Sequence, residues 1–128
     1  MDALPDDLGV ILVDHGSKVP EANEMLNEVV SMFRDTTGAP IVEPAHMELA
    51  EPTIAQALTR CVGQGATRIV VHPYFLAPGR HSTSDIPRLV EEAASGHPNV
   101  PITVTQPLGL DARMGAVILH RIQEALPD

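Results

Sequence analysis

The sequence has a single cysteine, no tryptophan and 2% aromatic residues in 128 positions. One thiol, Cys61, excludes an internal disulfide and an all-cysteine metal site within one chain, and its place between Leu58 and Val62 at helical spacing reads as packing. Few aromatic rings leave no stacking platform for single-stranded nucleic acid. Positive charge is scarce as well. With 8 Lys and Arg against 17 Asp and Glu the net charge is -9, which argues against nucleic-acid partners, because non-specific binding needs a basic patch to displace counterions from phosphates. No window approaches the roughly 18 consecutive apolar residues of a membrane span. The acidic start, Met1 to Asp7, lacks the basic region and hydrophobic core of a secretion signal. The expected location is the cytoplasm, or the plastid stroma if a transit peptide has been removed. Also missing are G-x-x-x-x-G-K-[ST], G-x-G-x-x-G after the first strand and a G-x-S-x-G elbow, so nucleotide-binding and α/β-hydrolase readings lack their usual signals.

What is present is a fourfold alternation of strand and helix patterns. Leu8 to Val13 is a continuous apolar run too short for a helix, read as a strand buried on both faces and ending at Asp14 or His15. A turn at Gly16-Ser17 leads to a helix from Pro20, with Leu26, Val29, Val30 and Phe33 on its apolar face and an end near Thr36-Thr37-Gly38. Pro40 to Glu48 contains a proline and reads as an outer strand. Glu51-Pro52-Thr53 opens a second helix, which Gly63 and Gly65 close. Arg68 to Leu76 is the third strand, followed by the loop 77–84, Asp85 as a candidate N-cap and a helix over Ile86, Leu89, Val90, Ala93 and Ala94. Ile102 to Thr105 and a helix from about Asp111 to Leu126 complete the series. Parallel returns need crossovers, so the expectation is one three-layer α/β domain over residues 1–128. It has a four-stranded parallel sheet in the flavodoxin-like order 2-1-3-4, helices on both faces and a loose segment at 1–7. Ligands of such sheets bind beyond the C-terminal strand ends at the switch point, here between the first and third strands.

That geometry brings His15 close to the loop ending in His81. Neutral imidazole is both a transition-metal ligand and a general base, and two of them converging suit a divalent first-row metal. Asp14 could orient His15 or attract a cation. His46, with Glu48 two residues on, is a reserve ligand or else a structural edge-strand histidine. His72, inside the third strand, reads as hydrogen-bonded rather than ligating. Glu51 closes the loop after the second strand and could ligate metal or accept protons. Lys18 and Arg80 are cations beside the two histidines that could meet anionic groups of a substrate.

The motifs Leu12-Val13-Asp14-His15-Gly16-Ser17, Glu51-Pro52, His72-Pro73-Tyr74-Phe75-Leu76-Ala77-Pro78-Gly79-Arg80-His81 and Asp85-Ile86-Pro87 span nearly the whole chain. In them the sequence resembles the sirohydrochlorin chelatases, the small single-domain class II tetrapyrrole metal chelatases. Glu43 to Pro52 looks most like the plant and cyanobacterial iron-inserting branch. The resemblance implies ATP-independent insertion of Fe2+ or Co2+, with Ni2+ a further candidate, into sirohydrochlorin for siroheme or cobalamin synthesis. It implies no tightly bound cofactor. By the same resemblance His15 and His81 are the metal ligands and catalytic bases, and Glu51 with Leu76, Ala77, Pro78, Gly79, Arg80 and His81 contacts the macrocycle. Larger members have two lobes of this fold, which implies a homodimer here. The lone Cys61 argues against the iron-sulfur cluster for which some plant relatives carry extra cysteines. A carrier that binds the metal or pigment without turnover, or a flavodoxin-like interaction domain with incidental histidines, would share the same scaffold.

Overall fold

The computed structural model describes residues 3–77, 79 and 84–127. Four strands, β1 (Leu8–Asp14), β2 (Val42–His46), β3 (Arg68–Pro73) and β4 (Ile102–Val104), alternate with four helices, α1 (Pro20–Thr37), α2 (Ile54–Gly63), α3 (Ile86–Ala94) and α4 (Ala112–Ala125). The sheet is wholly parallel in the order β2-β1-β3-β4, as the alternation predicts. β1 is central and its five inner residues are buried. That is why it reads as an unbroken apolar run: both faces are covered, so alternation disappears. Pro44 is tolerated in β2 because that strand lies at the sheet edge. β3 stops at Pro73, short of the expected end at Leu76. Tyr74 still donates its N–H to Val13 O at 2.7 Å, whereas Phe75 turns to bond Pro73 O at 3.0 Å.

Alternate residues of β1 feed two cores. Ile11 and Val13 face α2 and α3 and pack with Ala57, Leu58, Ile69 and Ile86. Val10 and Leu12 face α1 and pack with Leu26, Val29 and Val30. Gly9 lets α2 approach closely, since a Cβ there would lie 3.0 Å from Cys61 Cβ. α1 ends as expected at Gly38, which takes the left-handed conformation (φ 70°) and donates to Arg34 O. α2 starts with a reciprocal capping box between Thr53 and Gln56. Asp85 stands at the N-cap position of α3 with helical backbone angles and makes no cap bond. Pro87, in the first turn, has removed one of the donors such a cap would accept. Near the start, Leu4 packs against the α1 core, and Asp7 O accepts from Thr67 N at 2.9 Å.

α1 on one face of the sheet and α2 and α3 on the other make the three expected layers, to whose cores α4 adds no buried residue. Its amphipathic spacing makes a helix, capped where Asp111 accepts from Arg113 N at 2.9 Å, but none of its residues is buried. Among the described residues, no helix covers the face of β3 that carries Val70 and His72, and a groove of about 400 Å³ lies there.

Candidate active site at the strand ends

The C-terminal ends of β1, β2 and β3 converge around His15. Beyond β2 the chain stays in register with β1: Met47 N bonds Asp14 O at 2.9 Å and Glu48 N bonds His15 O at 3.2 Å. Gly16 is required at this crossing. Its φ is +89°, and a Cβ would fall 1.9 Å from Glu48 O. On the other side Asn23, in the first turns of α1, clamps the loop by accepting from Ser17 N at 2.9 Å and donating to Ser17 O at 2.7 Å. The imidazole of His15 is exposed and lies against Phe75, with ring centroids 5.4 Å apart and planes tilted by 58°. An open hollow of about 280 Å³ lies between His15, Ser17, Asn23 and Phe75. A histidine on a pinned backbone with an exposed ring has the chemistry of a metal ligand and of a base.

Asp14 and His46 are register partners on neighbouring strands. His46 is the one buried polar side chain among the described residues, and its Nδ1 lies 2.5 Å from Asp14 Oδ1. The same carboxylate oxygen accepts from Gly16 N at 3.1 Å. Asp14 therefore ties the buried histidine to the turn that carries the exposed one. Glu48 and Glu51 are both exposed on the loop beyond β2, where Glu51 Oε2 accepts from Gln56 Nε2 at 2.9 Å. Lys18 is exposed on the loop before α1. Leu76, Ala77 and Gly79 are exposed after β3, whereas Pro78, Arg80 and His81 lie outside the described residues. Among the described residues no cluster of three or more His, Cys, Asp or Glu side chains forms a ready-made metal cage.

Three contributors escape sequence reasoning. Asn23 acts six residues from its target, Phe75 is marked only by adjacency to the proposed macrocycle wall, and Leu49 is an exposed leucine held at φ 71° in the loop beyond β2. A non-glycine residue in that region is strained and persists where its surroundings impose it. The remaining polar candidates sit elsewhere. His72 Nδ1 bonds Thr105 Oγ1 at 2.8 Å, as its place inside a strand predicts, and burial lowers its pKa below the ordinary 6.5. Cys61 is buried and its thiol is pushed up to about 12, which keeps it protonated and inert.

A parallel α/β domain with an exposed histidine at its switch point is the architecture of a small-molecule site. Residues 9–125 match the CbiX family model, and the chain belongs to the CbiX family. It is 52% identical over 118 residues to the chloroplastic sirohydrochlorin ferrochelatase of Arabidopsis thaliana, covering 92% of this chain and 52% of that one. It is 33% identical to the sirohydrochlorin cobaltochelatase of Methanosarcina acetivorans, covering 96% of this chain and all of that one. Among solved structures, SirB from Bacillus subtilis with Fe3+ superposes with a TM-score of 0.85 at 32% identity, over 94% of this chain and 48% of that one. The chain thus spans about half the length of the plant and Bacillus relatives and the full length of the archaeal one. No helix among the described residues is long and apolar enough to cross a membrane.

Proposed function

We propose that this protein is a metal chelatase that inserts Fe2+ or Co2+ into sirohydrochlorin without nucleotide, and that it works as a homodimer. The observation carrying the reading is the pinned, exposed His15 beside Phe75 at the switch point, in a chain similar throughout to chelatases named for iron and for cobalt. The reaction exchanges two pyrrole N–H protons for one divalent ion. It needs a group that holds the partly dehydrated ion, a base for the protons and a surface that seats a flat ring. His15 serves as ligand and base, with its Phe75 contact fixing the ring plane. His81 is the second ligand and base, from its position in the sequence motif. Leu76, Ala77, Pro78, Gly79 and Arg80 form one wall for the macrocycle, and Glu51 meets it from the β2 side. The exposed side chains of Leu49 and Leu76 offer apolar contact to the ring. Asp14 and His46 act through the backbone of the turn, and Lys18 and Arg80 answer the carboxylates of the pigment. Glu48 flanks the path of the cation. The reaction belongs to siroheme or cobalamin synthesis. The chloroplastic plant relative supports the plastid stroma as its compartment, and the cytoplasm is the alternative.

The test is the change in the absorption spectrum of sirohydrochlorin on adding Fe2+ or Co2+ with protein. His15→Ala should lower the rate at least tenfold toward the spontaneous one, a loss of about 1.4 kcal/mol or more in barrier lowering. An unchanged rate in His15→Ala removes the assignment. Pigment binding with no acceleration in the parent protein would instead make the protein a carrier.

A further inference from the structure

Leu49 breaks two rules of a folded chain at once. Among the described residues it is the one non-glycine residue with positive φ, at 71°, and it leaves 58% of its surface to solvent. The left-handed region costs a leucine free energy that glycine is spared and asparagine largely so. Leu49 recovers none of this by burial, because it is part of neither core. The backbone around it explains how the conformation is held. On one side Glu48 N bonds His15 O at 3.2 Å, and on the other Pro52 O accepts from His46 N at 2.8 Å. Thr53 then bridges to His46 and caps α2. The chain leaves β2 at His46 and is back beside it at Pro52, so the turn at Leu49 is imposed from both ends. These pins require a left-handed residue at this point. They do not require leucine.

The place of the loop supplies the reason the fold does not. The sheet order β2-β1-β3 sets the loop after β2 on one side of His15 and the segment after β3, with its exposed Leu76, on the other. Adjacent strands lie ~4.8 Å apart, so the two flanking strand ends stand about 10 Å apart with His15 between them. We propose that Leu49 is a specificity-determining residue for the pigment, which with Leu76 centres the ring over His15 by polarity. The inference rests on the chelatase reading of this site and deepens it. A carboxylate-bearing tetrapyrrole has a charged rim and an apolar face. Laying the rim against either leucine would strip water from carboxylates beside a side chain that offers no hydrogen bond, whereas the ring face loses nothing there. The placement that buries both leucines and no carboxylate sets the middle of the ring, where the nitrogens lie, at the histidine between them. Strain in the free protein is then the counterpart of a contact made only with pigment bound, the pattern of ligand-holding segments.

The test separates stability from binding, because the two should not fall together. Leu49→Gly and Leu49→Asn suit the left-handed turn and should melt at or above the parent temperature. A leucine that held the loop in place would make both melt lower, and that result overturns the proposal. Titration of metal-free sirohydrochlorin, followed by its absorption, should show Kd raised about tenfold in both variants. That factor is about 1.4 kcal/mol, near what burial of a leucine still more than half exposed has left to supply. Leu49→Met, which keeps the apolar side chain, should bind within twofold of the parent. At saturating pigment the glycine and asparagine variants should also insert Fe2+ or Co2+ severalfold more slowly, because the ring is no longer centred on His15. An unchanged saturated rate overturns the centring. A parent that metallates the pigment while the Leu49 variants bind it equally well overturns this inference and leaves the chelatase reading standing. A parent that neither binds nor metallates sirohydrochlorin removes both.

Discussion

The closest fit in the site is the crossing of Gly16 beneath the backbone of Glu48, and Gly16→Ala tests it. Alanine at φ +89° meets the left-handed penalty of about 1–2 kcal/mol. Its Cβ would also sit 1.9 Å from Glu48 O, a backbone atom that cannot rotate away, so the segment must move by more than an ångström. That displacement breaks the Glu48 N to His15 O bond and strains Met47 N to Asp14 O, at about 0.5–1.5 kcal/mol each. The expected total is about 3 kcal/mol, a fall in melting temperature of roughly 10 °C for a domain of this size. Gly38→Ala is the control. Gly38 has a similar φ of +70°, but nothing lies within 4 Å of its Cβ position, so it carries the backbone penalty alone, about 1 kcal/mol. Urea and thermal unfolding at one protein concentration measure both variants, and equal losses would refute the steric part of the argument. Because the displaced backbone carries His15, Gly16→Ala should also slow the proposed metal insertion by more than Gly38→Ala does.

Asp14→Ala leaves the buried His46 imidazole and Gly16 N without their shared acceptor. It should cost about 1–3 kcal/mol in urea unfolding, and a loss below about 0.5 kcal/mol would show the pair to be incidental. His72 gives a pH signature. Burial holds its pKa below 6.5, so as pH falls through 6.5 the unfolded chain takes up a proton that the native state refuses, and stability drops until the depressed native pKa is passed. Between about pH 7.5 and about pH 5.5 the parent should therefore lose more stability than His72→Gln, and equal slopes would exclude His72 as the source.

The order of strands and helices was legible because β1 is an unbroken apolar run, the α1 pattern is strongly periodic and Pro44 marks an edge. The end of β3 was not, because Phe75 and Leu76 continue the apolar composition after the ladder has stopped at Pro73. The spacing of α4 announced a helix but could not say where its apolar side goes, since amphipathicity specifies a face and not its partner. The placement of His15 just beyond β1 was legible from its strand-tip motif. The Asp14–His46 pair was not, because it exists only through the register of β1 on β2, and the Gly16–Glu48 contact depends on the same alignment.

The bonds around His15 have a consequence for when activity is lost. Its backbone is hooked to the segment after β2, to Asn23 of α1 through Ser17, and, one residue before Asp14, to Tyr74 after β3. Three stretches of chain, two of them remote from it in sequence, must all be in place before this histidine has a defined position. A surface side chain ordinarily shares the loose local equilibrium of its loop, but this one is coupled to the opening of the sheet. Partial loosening of either flanking strand would scatter the site while most of the fold persists, which would make the proposed metal insertion an early reporter of damage.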